Sequence, residues 1–261
     1  MAIITLTSDW GLKDHYLASV KGALLGKMPD AIIVDITHLI PPFDIGQASF
    51  ILRNCWKSFP KGTVHIVGIN TEASLQTPHV AIAMEGHYFI GADNGIFGLI
   101  FDRQPDAIVE LEIPQDGYTF TFSTRDVFVK AAVHLARGRD IEELGESRHT
   151  LNVKEHFNPV INEQGISGKI IYIDRYENVF TNISKELFLK VVANRKFSIE
   201  LGYTRYKLTR ISEAYGDVPE GEILALFSST GLLQIAINKG NAAGLLGLSL
   251  DQAVRIVFQS S

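Results

Sequence analysis

Only a few polar residues in this 261-residue chain stand where a sheet could present them to a ligand. Ile3 to Ser8 reads as a strand with Asp9 behind it, and Thr63 to Val67 reads as another, with Asn70 shortly after. Ligands of open parallel sheets collect in the crevice beyond the carboxyl ends of the strands, so both positions are candidates. Asp9 precedes a Trp10-Gly11 turn. Its carboxylate can accept hydrogen bonds from the two vicinal hydroxyls of a ribose, or it can cap the turn that follows. The residues alone leave both roles open. Ser123 and Thr124 open a predicted helix that one of their hydroxyls can cap, and Asp126 in its first turn suits the helix dipole.

Other chemistries lack their residues. Gly22-Ala-Leu-Leu-Gly26-Lys27 has one residue too few for a phosphate-binding loop, and Met28 replaces the metal-binding hydroxyl, so it reads as helix interior. There is no Gly-x-Gly-x-x-Gly after the first strand and no Gly-x-Ser-x-Gly. The eight histidines form no zinc-ligand pattern. The single cysteine, Cys55, lies among Phe50, Ile51, Trp56 and Phe59 and reads as a buried thiol. A net charge of −5 argues against nucleic acid as a partner. The first residues carry no basic leader and no apolar run reaches the ~20 residues of a membrane span, so a cytoplasmic location is expected.

The elements that must position these residues change in kind along the chain. The first half alternates strand and helix patterns: 3–8, a helix over about 14–28 ended by Pro29, a buried strand at 31–36, a helix over 45–59, and a strand at 63–67. Two further runs, 80–84 and 88–90, join through Glu85-Gly86-His87 as a hairpin. Strand 108–113 and helix 124–137 complete an α/β N-terminal domain with a mainly parallel sheet, taken as 1–155. After a weakly patterned stretch come short strands at 168–174, 197–202, 206–211, 222–227, 232–237 and 253–258. They predict a smaller C-terminal all-β, barrel-like domain, taken as 166–261.

Several segments, in order, carry a resemblance: Thr7-Ser-Asp9-Trp-Gly-Leu-Lys-Asp14, Lys21-Gly22, Val34-Asp-Ile-Thr-His38 with Pro42-Phe43-Asp44, Gly62-Thr-Val-His65, Ala92-Asp-Asn-Gly95, Phe122-Ser-Thr-Arg-Asp126, Asp174-Arg-Tyr-Glu-Asn178 with Thr181-Asn-Ile183, and Ala236-Ile-Asn238. From about Ile3 to Phe258 the chain resembles the S-adenosylmethionine hydroxide adenosyltransferases (hydrolases) and the 5′-chlorinases and fluorinases. The resemblance implies a homotrimer with active sites between the N-terminal domain of one subunit and the C-terminal domain of its neighbour. It implies that Asp9 holds the ribose hydroxyls, that Asp14 and Phe43 lie near the methionine and ribose portions, and that Tyr176 stacks on adenine beside a hydrogen bond from Asn178. Asp174 and Ser229 then bind the methionine amino acid, and backbone around Asn238 reads the adenine edge. S-adenosylmethionine is the substrate, and no cofactor is expected.

Displacement at C5′ releases neutral methionine from a sulfonium, so the leaving group needs no acid; the barrier lies in presenting a poorly solvated nucleophile in line with the C–S bond. Hydrolases of the family surround the water with Asp, Arg and His, and here those positions read Asn70, Thr77 and Ser123. Asn cannot serve as a base near neutral pH. The halogenases hold their halide with hydroxyls and backbone N–H groups, which Ser123 and Thr124 could also supply. Ala73, however, stands where fluoride-using enzymes have Thr, and Thr230 where halogenases have an Arg for the methionine carboxylate. The expected activity is hydrolysis to adenosine and methionine. Adenosyl transfer to chloride or another nucleophile, and non-catalytic binding of S-adenosylmethionine or a nucleoside, are the alternatives.

Overall fold

The computed structural model describes residues 2–114, 121–154, 158–202 and 206–259. The chain divides into two compact units, Met1–Glu155 and His156–Ser261.

The first unit contains β1 (Ile3–Ser8), α1 (Tyr16–Lys27), β2 (Ile32–Thr37), α2 (Ile45–Arg53), β3 (Val64–Gly68), β4 (His79–Met84), β5 (His87–Ala92), α3 (Ile96–Ile100), β6 (Ala107–Leu111), α4 (Val129–Ala136) and β7 (Gly145–Arg148). The strands form one sheet in the order β2-β1-β3-β5-β4-β6-β7. Pairings β1–β2, β1–β3 and β3–β5 are parallel, whereas β4–β5, β4–β6 and β6–β7 are antiparallel. The sheet is therefore mixed, which corrects the expectation of a mainly parallel one. The cause is local: Glu85 and Gly86 both take positive φ, 52° and 85°, and make the tight hairpin that sends β5 back along β4. β2 is likewise not a buried strand. It lies at the sheet edge, and Ile32 is 42% exposed.

Alternation along the strands loads both faces of the sheet. Leu6 and Ile66, register partners, pack with Val20 and Leu24 of α1 and with Ala131 and Ala132 of α4. Val67, Val80 and Phe89 pack instead with Ala48 and Leu52 of α2, Trp56 and Phe97. The glycine-containing stretch 22–26 is interior to α1, as its sequence suggests.

The second unit holds β8 (Val160–Asn162), β9 (Gly165–Ile173), β10 (Val179–Ser184), α5 (Lys185–Val192), β11 (Phe197–Leu201), β12 (Lys207–Leu208), β13 (Ile223–Phe227), β14 (Leu232–Ile237), α6 (Ala242–Leu246) and β15 (Ala253–Phe258). Its sheet runs β12-β11-β15-β9-β10-β14-β13, with β8 paired to β9. It is nearly closed into a barrel. Four residues after edge strand β12, the Ser212 N–H donates to Ala225 C=O at 2.7 Å, on the opposite edge strand. The unit is not all-β. In α5 the Ser184 hydroxyl accepts the N–H of Leu187, and Phe188 and Val192, four apart, turn into the core. The strand expected over 206–211 shrinks to Lys207–Leu208, and residues 203–205 lie outside the described residues.

Candidate active site

The carboxyl ends of β1, β2 and β3 meet around Trp10. A Cβ built on Gly68 would come within 2.6 Å of the Trp10 ring, so only glycine lets the end of β3 approach it. That ring also stacks on His38 (centroids 6.3 Å apart, planes 13° apart) and meets Phe122 edge-on at 5.7 Å. Beside it, Asp9 is half-buried, and its Oδ2 accepts the Phe43 N–H at 2.8 Å. Phe43 adopts φ +67° and leaves its ring 70% exposed. An aromatic residue in the left-handed region is strained, and such strain concentrates at functional positions. Asp14 is exposed in the turn before α1.

Asn70, two residues past β3, is exposed at φ +46°, a conformation asparagine tolerates. Its carbonyl and that of Ile69 accept bonds from the Asn94 side chain at 3.1 and 3.0 Å, which tie the ends of β3 and β5 together. Thr77 turns its hydroxyl inward on Ser74 Oγ at 2.8 Å, closing the 70–78 loop on itself. His79 donates from Nε2 to the Thr71 carbonyl at 2.8 Å and packs edge-on against Phe128. Because that acceptor is a carbonyl, Nδ1 keeps its lone pair in the neutral ring. Burial holds His79 below its ordinary pKa, partly offset by the Thr71 bond.

Ser123 and Thr124 do not cap a helix, contrary to the sequence expectation. Ser123 already has helical torsions (φ −54°, ψ −34°), and Thr124–Phe128 form a π-helical turn leading into α4. Single π turns recur at functional sites. Thr124 is fully buried and its Oγ1 has no hydrogen-bond partner among the described residues. Asp126, also buried, is held by Arg125 at 2.6 and 2.9 Å. Arg125 is thereby committed as well, and Glu72 is exposed.

In the second unit, Asp174 shapes the β9–β10 turn. Its Oδ1 accepts the N–H groups of Tyr176 and Asn178, both at 2.9 Å, and its Oδ2 accepts Asn178 Nδ2 at 3.0 Å. Glu177, at φ +59°, latches the turn to α6 through Ala243 and Gly244 N–H. The result is a Tyr176 ring 78% exposed beside a buried Asn178. Asn238 follows β14 at the same end of the sheet and donates from Nδ2 to Val218 C=O. Ser229 is exposed in the β13–β14 turn, at the opposite end of β14, and its neighbour Thr230 bonds Ser228 Oγ at 2.7 Å. Among the described residues, four of the seven left-handed non-glycine positions, Phe43, Asn70, Glu177 and Lys239, are or adjoin expected site residues.

Residues 4–145 match the SAM hydroxide adenosyltransferase N-terminal domain, and residues 168–255 match the C-terminal domain of the same enzymes. The chain belongs to the S-adenosylmethionine hydroxide adenosyltransferase family. It is 30% identical to the (R)-S-adenosyl-L-methionine hydrolase of Thermus thermophilus, over 98% of this chain and 100% of the relative. It is 25% identical to the fluorinase of Nocardia brasiliensis, over 97% and 96% of the two chains. A crystal structure of an uncharacterized conserved protein from Thermotoga maritima superposes with a TM-score of 0.88 at 30% identity, covering 98% of this chain and 99% of that one.

Within this adenosyltransferase fold the structure gathers Asp9, Phe43, Asn70 and Thr124 on elements that meet at the strand ends, and Tyr176, Asn178 and Asn238 at one end of the barrel-like sheet. Sequence reasoning gave no role to Trp10, His38 and Asn94, which hold the first group in place. The only signal was their occurrence in the turn motifs themselves. No helix among the described residues is long and apolar enough to cross a membrane.

Proposed function

We propose that this chain hydrolyses S-adenosylmethionine to adenosine and methionine. The observation that carries the reading is the alignment of essentially the whole chain with curated hydrolases of that substrate. Water attacks C5′ opposite the sulfonium, the C5′–S bond breaks, its electron pair leaves with methionine, and the proton of the attacking water passes to solvent. Asp9, with one carboxylate oxygen set by Phe43, offers the other to the ribose hydroxyls; Asp14 and Phe43 flank the methionine and ribose portions. Tyr176 stacks on adenine, Asn178 and the backbone at Asn238 bond its edge, and Asp174 faces the amino acid; Ser229, at the opposite end of β14, is not brought to that group. We read the protein as a cytoplasmic homotrimer in which the second group comes from a neighbouring subunit. Mixing Asp9→Ala and Tyr176→Ala subunits should then raise activity above that of either variant alone, and failure of complementation would remove the shared site.

Asn70, Thr77 and Ser123 place no base or cation around the water, so its activation must rest on position and desolvation. The buried, unpartnered Thr124 hydroxyl favours a second reading, in which an anion such as chloride is the nucleophile. Chromatography of products formed from S-adenosylmethionine with and without chloride separates them. Adenosine supports hydrolysis, and 5′-chloro-5′-deoxyadenosine supports halide transfer. Unchanged but bound substrate supports a non-catalytic role.

A further inference from the structure

His38, which no part of the proposed reaction uses, is the hub of the turn that carries Asp9. Its ring is buried. Nδ1 lies 2.6 Å from Ser8 Oγ, immediately before Asp9. Its carbonyl accepts the Gly11 N–H at 2.7 Å, immediately after the Asp9-Trp10 pair, and its ring carries the Trp10 indole. Both ends of the four-residue turn and its central side chain are therefore fixed to one residue.

Behind His38 stands Asp35, whose Oδ2 receives Lys21 Nζ at 2.6 Å and whose Oδ1 lies 3.2 Å from His38 Nε2, a charge contact that lacks hydrogen-bond geometry. Burial raises the Asp35 pKa, but the neighbouring Lys21 and His38 lower it further, so it stays charged. In a regular strand, residues three apart point to opposite faces, so Asp35 could not meet His38. Here Leu6 pairs with Asp35 but Thr7 pairs with Thr37, leaving Ile36 unpaired. That bulge brings Asp35 and His38 to one side; bulges beside active sites re-aim side chains in this way.

We propose that His38 is a positioning residue for Asp9, and that the Lys21–Asp35–His38–Ser8 chain holds the Asp9 carboxylate in register with a ribose. The proposal rests on the ribose role of Asp9. Its test compares binding of adenosine and 2′,3′-dideoxyadenosine to the full-length protein by calorimetry, in wild type, His38→Leu and Ser8→Ala. Ser8→Ala removes the bond to the turn with a minimal change in volume and carries the test should His38→Leu fail to fold. Wild type should prefer adenosine by on the order of 10- to 100-fold, as expected for hydrogen bonds to a charged acceptor. In the variants this preference should collapse to a few-fold, while affinity for the dideoxy compound, which never meets Asp9, stays within about two-fold; His38→Asn, whose side-chain amide can meet Ser8 Oγ near the Nδ1 position, should recover part of it. A folded variant that keeps the full preference overturns the positioning role. If wild type itself shows no preference, the ribose role of Asp9 fails and this proposal with it.

Discussion

The buried imidazole of His65 makes the stability of the N-terminal unit depend on pH by an amount that can be worked out. Its Nδ1 lies 2.8 Å from the Thr5 hydroxyl and its Nε2 3.3 Å from His87 Nδ1, and its ring stacks on Phe89 with centroids 4.6 Å apart. Burial first, and the neighbouring His87 second, push its pKa from 6.5 down to about 3. A base whose pKa is depressed by folding takes up its proton first in the unfolded chain. Its contribution is therefore complete above the unfolded value and is lost as pH falls from 6.5 towards 3. At about pH 4.5 the loss covers ~2 pK units, or roughly 2–3 kcal/mol. Urea unfolding followed by tryptophan fluorescence, at about pH 7 and pH 4.5, measures it in wild type and in His65→Gln. Groups shared by the two proteins titrate in both, so wild type should lose roughly 2–3 kcal/mol more than the variant. Equal losses would refute the assignment of the acid sensitivity to His65.

Further expectations concern the proposed site. Asp9→Ala should weaken adenosine binding by roughly 1–3 kcal/mol through the lost charged acceptor, and unchanged affinity in calorimetry would remove its ribose role. Thr124→Val should leave the melting temperature unchanged or slightly raised, because it deletes an unsatisfied buried hydroxyl, yet lower turnover by about tenfold; full activity would exclude that hydroxyl from holding the nucleophile. Tyr176→Ala, at an exposed ring, should cost roughly 1–3 kcal/mol of adenosine affinity without lowering the melting temperature. Gly68→Ala should destabilise the fold by roughly 1–3 kcal/mol and reduce substrate affinity, since its Cβ collides with Trp10; a neutral result would mean the strand ends are not held by that contact.

Local punctuation made the first half of the fold legible. Pro29, Pro60 and Gly62 bound the early strands and helices, and Glu85-Gly86 marked the hairpin. Strand order is a long-range property, so neither the antiparallel half of the sheet nor the edge position of β2 could be read from its apolar run. Helix α5 falls in a stretch for which the strand pattern gives no element, although Ser184 and the Phe188/Val192 spacing carry its signal. Asp9 and Asn70 followed from the strand-end rule, whereas Tyr176, Asn178 and Asn238 came only through the family resemblance, since loop residues carry no periodicity. The inward turn of Thr77, the uncapped Thr124 and the bulge that unites Asp35 with His38 depend on packing from distant elements. No local pattern encodes them.

The central claim, attack of water on C5′, is tested most directly by supplying S-adenosylmethionine in ¹⁸O-enriched water and analysing the products by mass spectrometry. The account predicts adenosine carrying ¹⁸O at its 5′-hydroxyl together with unlabelled methionine. Intact substrate after prolonged incubation, or release of methionine without labelled adenosine, would contradict it.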